Sequence, residues 1–429
     1  MRWLALPLLI SLAACGGDAP TAVVLPAPPA AGARHFVATP WTLPATGAAA
    51  QPDLVATRDG EVLLSWMEPA GEDGHTLKFA RFDGRQWQAP GEIARGRDWF
   101  VNWADTPHIV ATEDGALWAH WLRKSASAGY AYDVVLSRSP DGGINWAPPQ
   151  AVNDDGTPTE HGFVSLWQQG RDRIGIAWLD GRNTAAPGGG GHDGHHGAGA
   201  MALRSATIDA NLQRSGETEL DARTCDCCQT GAAMTVRGPL LVYRDRDDAE
   251  IRDIAATRLQ DGAWTPARAV HADRWTMPAC PVNGPAVEAN GSEAWVAWYT
   301  AANDTPTLRL ARSTDAGDSF SAPLEVDAGG PVQGRAGVAL GADSVWVSWI
   351  RETDQGQSLW LARYAPDLSR ELQRIEVAQL QGRGRATGFP QLLGSDDGVL
   401  IVWTDVVDKQ PLLRGARITA GAAGQGAAP

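Results

Sequence analysis

The chain has 429 residues and is acidic, with 36 Lys and Arg against 50 Asp and Glu and a formal charge of -14. That surplus gives no electrostatic reason to seek nucleic acid or anionic lipid, which sets both partner classes aside. No long stretch shows helical periodicity, so the 48 Gly and 28 Pro punctuate short strands rather than helices.

The first segment, "MRWLALPLLISLAAC", has one positive charge at Arg2, an apolar run from Trp3 to Leu12 and small residues before Cys15. This is the layout of a secretory leader over 1–14, and its apolar run is shorter than the roughly 20 residues that span a bilayer. "LAAC" resembles a bacterial lipobox, which makes Cys15 the lipid-bearing first residue of the mature chain. Plain secretion with cleavage after Ala14 is the other reading. Gly16 and Gly17 follow where an inner-membrane retention signal would carry aspartate, so the expected address is the outer membrane, on its periplasmic or its surface face. The only expected membrane contact is the N-terminal lipid, whose buried methylenes contribute about 0.8 kcal/mol each. Residues 15–34 read as a Pro/Ala/Gly tether, 35–419 as the folded body and 420–429 as a disordered tail.

From residue 52 onward one pattern recurs. "VLLSWMEP", "LWAHWLRK", "IGIAWLDGR", "LLVYRDR", "AWVAWYTA", "VWVSWIRE" and "LIVWTDV" each run from β-formers into an aromatic and then polar residues. The aromatics are Trp66, Trp121, Trp178, Tyr243, Trp298, Trp349 and Trp403. A short strand ending in Asp-Gly or a similar turn precedes most of them, and two further strands follow. Four antiparallel strands per repeat predict an all-β fold, a β-propeller. Seven blades are favoured over six: the last repeat stops after three strands, and "HFVATPWTLPA", His35 to Ala45, can supply the missing outer strand and close the ring.

Two turns between third and fourth strands, "SPDGGINW" (Ser139 to Trp146) and "STDAGDSF" (Ser313 to Phe320), resemble the Asp-box of sialidases and related bacterial-neuraminidase-repeat proteins. Degenerate versions lie at Asp83, Gly84 and Trp87 and at Asp261, Gly262 and Trp264. The box is turn chemistry: aspartate accepts from turn amides, glycine supplies positive φ and the aromatic packs beneath. In that family the boxes lie opposite the binding funnel, so Asp141 and Asp315 are expected to be structural. The resemblance further implies a six-bladed ring, three arginines on a sugar carboxylate, a tyrosine nucleophile with a glutamate partner and an aspartate acid. This sequence departs from it in repeat count, in lacking an "RIP"-type motif and in offering no tyrosine with an obvious partner.

First-strand starts and second-strand ends of a propeller meet at one mouth. The repeat alignment places Glu160, His161, Asp180, Arg182, Arg244, Asp245, Arg246, Asn283 and Arg335 there as ligand-binding candidates, with Asp180 and Asp245 as candidate catalytic carboxylates. Guanidinium forks suit anions and carboxylates suit sugar hydroxyls; charges paired within the rim are the bland alternative. Tyr243 takes the place that tryptophan fills in other repeats and is read as core.

Cys225, Cys227 and Cys228 precede the first strand of the fourth repeat and Cys280 that of the fifth, so a cross-blade disulfide is expected. The preferred pairing is Cys228 with Cys280 and Cys225 with Cys227. The loop "GGGGHDGHHGAGAM" offers His192, His195 and His196 as copper or zinc ligands on a Gly-rich segment too loose to pre-form a cage; otherwise no cofactor is required. Three functions stay open: an envelope propeller binding a saccharide, an anionic small molecule or an envelope protein; a sialidase-like glycoside hydrolase; and an envelope copper- or zinc-handling protein.

Overall fold

The computed structural model describes residues 34–127, 129–184 and 199–421. The expected leader, Cys15, nearly all of the tether, His192, His195, His196 and most of the tail lie outside the described residues.

The described chain forms seven antiparallel sheets. Blades 1 to 6 span 50–96, 109–151, 161–221, 231–269, 286–328 and 332–380, and blade 7 consists of Gln391–Ser395, Gly398–Val407 and Gln410–Ala420 with Phe36–Pro40 as its outer strand. Phe36 pairs with Ala420 and Pro40 with Ala416, so the two ends of the body zip together and the six-bladed alternative is excluded. Each blade's first strand touches that of the next, and blade 7's touches blade 1's, which makes a closed ring around one axis. Among the described residues no helix is long and apolar enough to cross a membrane.

Second strands are buried on both faces, which is why they read as near-continuous apolar runs: Ile174–Asp180 is buried at every position. The repeating aromatics lie between blades, and Trp66, Trp178, Tyr243, Trp298 and Trp349 are at most 1% exposed. Each removes on the order of 150–250 Å² from water, so the blade seams carry much of the hydrophobic stabilisation. An indole N–H buried there needs an acceptor. Trp298 Nε1 finds Asp273 Oδ2 and Trp349 Nε1 finds Asp327 Oδ2, both at 2.7 Å and both supplied by the preceding blade's outer segment.

At the end opposite the mouth, the two turns that resemble an Asp-box repeat one network. Asp141 Oδ1 accepts from Ser139 Oγ at 2.7 Å and Asn145 N at 2.9 Å, and Asp315 Oδ1 accepts from Ser313 Oγ at 2.7 Å and Ser319 N at 2.9 Å. Gly143 and Gly317 have φ of +103° and +89°, and a Cβ there would meet Phe79 or Leu240 of the preceding blade at 2.2 and 2.5 Å. The box therefore locks a turn onto its neighbour.

Candidate functional site

His161 opens blade 3 in register with Asp180, Thr224 bridges Asp245 at the head of blade 4, and Cys227 is bonded to Cys280 before blade 5. These residues of separate repeats thus meet at one end of the ring.

The cysteine pairing differs from the expected one: Cys225 joins Cys228 and Cys227 joins Cys280, with Cα separations of 5.8 and 6.1 Å. Asp226 and Cys227 form a tight turn, which folds Cys225 back onto Cys228 and leaves Cys227, at the tip, as the residue facing the next blade. The sulfurs pack with Phe163 and Tyr243, and Trp103 and Phe389 lie against the same cluster.

Arg244 and Arg335 are held within the protein. Arg244 is 1% exposed, and its guanidinium donates to the carbonyls of Asn283, Arg252 and Tyr299 at 2.6–2.9 Å. Arg335 donates to Thr387 Oγ1, Gly388 O and Gly384 O at 2.7–3.0 Å, while its backbone N–H donates to Asn283 Oδ1. Burial pushes both guanidinium groups down to about 10. Asn283 therefore couples the two arginines.

Asp180 is 0% exposed. Its carboxylate takes Arg182 Nε and Nη2 at 2.7 Å and Trp178 Nε1 at 2.8 Å. Burial opposes its ionisation, but the Arg182 fork outweighs that and holds the carboxyl below its ordinary value. Arg246 donates to Asp226 Oδ2 at 2.9 Å and to Glu250, which Arg252 also grips. Asp245 is half-buried, and burial followed by the adjacent Asp221 pushes its carboxyl up to about 6.

The most unusual carboxyl is Glu160. Burial pushes it up to about 8, reinforced by Asp105 and Asp226 and opposed by a hydrogen bond from Tyr132. The Tyr132 hydroxyl lies 2.7 Å from Glu160 Oε1 and 3.2 Å from Asp105 Oδ2. Asp105 is 2% exposed, accepts from Phe163 N at 2.7 Å and is itself pushed up to about 7 by burial. One hydroxyl proton cannot serve two ionised carboxylates, so a proton on this pair completes the network. Glu160 keeps partial solvent contact while Asp105 does not. At neutral pH, blade 3 thus presents a carboxylic acid at the mouth.

The expectation that no tyrosine has a partner is corrected: Tyr132 bonds Glu160, Tyr243 bonds Asp221 and Tyr364 bonds Glu371. Tyr132, Asp155, Asp221 and Asp226 were not candidates from sequence. Tyr132 opens a third strand, Asp221 closes a fourth, and the other two sit in connections between blades. None of these positions belongs to the first- and second-strand alignment that located the mouth.

No family description and no curated protein matches the chain. Among solved structures it is similar to polysaccharide lyase Uly1, with a TM-score of 0.51 and 8% identity over 89% of this chain and 91% of that one. The phage phi92 endosialidase aligns at a TM-score of 0.49 and 12% identity over 92% of this chain and 72% of that one. The NanB sialidase from Streptococcus pneumoniae, as a point mutant, aligns at 0.43 and 11% over 87% and 68%. The likeness is one of fold: a propeller architecture found in proteins that act on glycans.

Proposed function

We propose that this is an envelope propeller that binds a saccharide at the mouth sector shared by blades 2, 3 and 4, tethered to the outer membrane through lipidated Cys15. The observation that carries the reading is Glu160, a partly exposed carboxyl pushed up to about 8 beside the ionic cluster of Asp226 and Arg246. A protonated acid donates and its neighbouring carboxylates accept, which is the mixture that sugar hydroxyls need. An anionic ligand is less well served, because Arg182, Arg244, Arg246 and Arg335 already spend their donors on internal carboxylates and carbonyls.

The second reading is glycan cleavage, favoured by the separation of two mouth carboxyls, Glu160 at about 8 and Asp245 at about 6. Groups pushed apart in this way suit acid and base roles at neutral pH. Asp180, gripped by Arg182 and Trp178, then acts by positioning Arg182.

A glycan array followed by calorimetry on the best binder tests the first reading, and a panel of fluorogenic glycosides and unsaturated-product assays tests the second. Glu160→Gln keeps a donor and should retain binding while abolishing any cleavage; Glu160→Ala should weaken binding. Absence of any array signal with a folded protein overturns the saccharide reading. Retention of labelled palmitate by the parent chain and its loss in Cys15→Ala tests the anchor.

A further inference from the structure

Asp155, His161 and Asp180 bring three donor atoms within 4.8 Å of one another at the mouth edge of blade 3. His161 Nδ1 lies 3.1 Å from the Tyr132 carbonyl oxygen. A carbonyl only accepts, so Nδ1 carries hydrogen and the ring orientation is fixed. Nε2 then faces Asp155 Oδ2 at 3.0 Å and Asp180 Oδ1 at 3.6 Å.

Two of these atoms, His161 Nε2 and Asp155 Oδ2, are buried and make no hydrogen bond, although the His161 side chain is 0% exposed. Asp155 is not free to turn away: its other oxygen accepts from Thr157 N at 2.9 Å and from the Thr157 hydroxyl. A buried imidazole nitrogen and a buried carboxylate oxygen thus stand side by side without pointing at each other.

The spacing identifies what fits there. Two ligands bound to one ion at about 2.1 Å, and about 90–120° apart, lie about 3.0–3.6 Å from each other. One imidazole and two carboxylates form a nitrogen and oxygen donor set that suits zinc and its first-row neighbours, while the absence of sulfur disfavours copper(I). The Nδ1–H bond to a backbone carbonyl is the outer support that metal-binding histidines ordinarily have. Asp180 Oδ1 already accepts from Arg182 N and Nε, which makes Asp180 the weakest of the three ligands, and Arg182 Nη2 also comes within 3.7 Å of Asp155 Oδ2, so the ion would share these carboxylates with a resident guanidinium.

We propose that Asp155, His161 and Asp180 hold a divalent ion of the zinc class, with water completing its coordination, at the seam where Tyr132 of blade 2 meets blade 3. This site uses none of the loop histidines and does not depend on the saccharide reading.

The test uses untagged full-length protein stripped with chelator, carrying His192→Ala, His195→Ala and His196→Ala so that the loop cannot contribute. Zinc is titrated against a chromophoric chelator. One ion per chain is expected, with Asp155→Asn weakening affinity at least about tenfold and His161→Gln doing the same. Zinc should also raise the unfolding temperature of the loop-substituted protein and leave that of Asp155→Asn unchanged. Asp155→Asn preserves shape at a partly exposed position, so it stays informative if His161→Gln fails to fold. Failure of the loop-substituted protein to bind zinc, or equal affinity in folded Asp155→Asn, overturns the proposal.

Discussion

Tyr243 of blade 4 donates its hydroxyl to Asp221 of blade 3 at 2.7 Å. The geometry repeats the seams where Trp298 meets Asp273 and Trp349 meets Asp327. In each case the second-strand aromatic reaches a carboxylate at the end of the preceding blade's outer segment. Tyr243 is therefore a seam clamp that happens to be phenolic. A nucleophile is an unsuitable role for a hydroxyl that is buried and pushed far above its ordinary value by burial and by Asp221.

Removing the clamp should cost stability and little else. Tyr243→Phe keeps the ring and deletes the hydrogen bond, leaving Asp221 short of a donor. The expected loss is about 1–2 kcal/mol, read from the urea midpoint. Saccharide binding by the folded protein should be unchanged, since the hydroxyl faces the seam; a large loss of binding at full stability would return Tyr243 to the site.

Glu160 makes stability depend on pH in a stated direction. Its carboxyl titrates at about 8 in the fold against an ordinary 4.5. Between those values the unfolded chain releases a proton that the folded chain keeps, so stability falls as pH rises through the window and is flat above it. Glu160→Gln mimics the protonated acid and should flatten the curve between about pH 5 and 8. The effect is at most a few kcal/mol because the residue is partly exposed. Unfolding free energies at four pH values in parent and variant decide it; equal slopes refute the raised titration.

His108 should add a second component of the same sign. Burial disfavours its charged form, but the Asp53 carboxylate, 3.2 Å from Nδ1, and nearby Asp105 outweigh that and raise it above 6.5. The neighbouring His120 is pushed well below its ordinary value by burial and stays neutral. Stability from this pair is fully present below about pH 6.5 and is lost as pH rises through the folded value. In His108→Gln the decline in thermal midpoint between pH 6 and 8 should be shallower than in the parent protein.

The ring was legible because it is periodic. Seven aromatics at even spacing and a three-stranded final repeat sufficed to place Phe36–Pro40 in blade 7, as the strand pairing has it. The mouth was legible only where its residues belong to that period, as His161 and Asp180 do. Asp155 and Asp226 lie in connections between blades, whose lengths vary around the ring, so no register carries them to the mouth; Tyr132 looks like any third-strand aromatic until Glu160 is seen beside it. Burial was also invisible: Arg244 and Asp180 are charged in sequence and enclosed in structure. The cysteine connectivity turned on a local bend at Asp226 and Cys227 that spacing does not encode.

The two disulfides should differ in worth. Cys227–Cys280 closes 53 residues and staples blade 4 to blade 5, whereas Cys225–Cys228 closes three. Chain-entropy reasoning gives about 4 kcal/mol for the long loop and about 2 kcal/mol for the short one. Cys280→Ser should therefore lower the denaturation midpoint more than the double change Cys225→Ser with Cys228→Ser. Non-reducing peptide mapping of the parent should recover Cys227 linked to Cys280; Cys228 in that linkage would restore the pairing expected from sequence.

The outer strand of blade 7 bears on stability and, under the proposed anchoring through Cys15, on attachment, because in the chain it directly follows the segment that begins at Cys15. Phe36 is 4% exposed, meets Trp346 edge-on at 5.1 Å and lies under the Arg363 guanidinium at 4.5 Å. Its backbone N–H donates to Gln373 Oε1 and its carbonyl accepts from Gln373 Nε2, so blade 6 holds the clasp as well. Phe36→Ala removes a buried aromatic and should cost about 3–5 kcal/mol. Gln373→Ala removes only the side-chain clamp and should cost about 1–2 kcal/mol. Deleting residues 34–40 strips the last strand from blade 7 and exposes the edge of Gln410–Ala420, so that protein should associate through the open edge in sedimentation or light scattering. Adding a peptide of sequence HFVATP in trans should suppress that association. A monomeric deletion protein as stable as the parent would show that blade 7 closes without Phe36–Pro40, and the clasp would then be no part of the ring's stability.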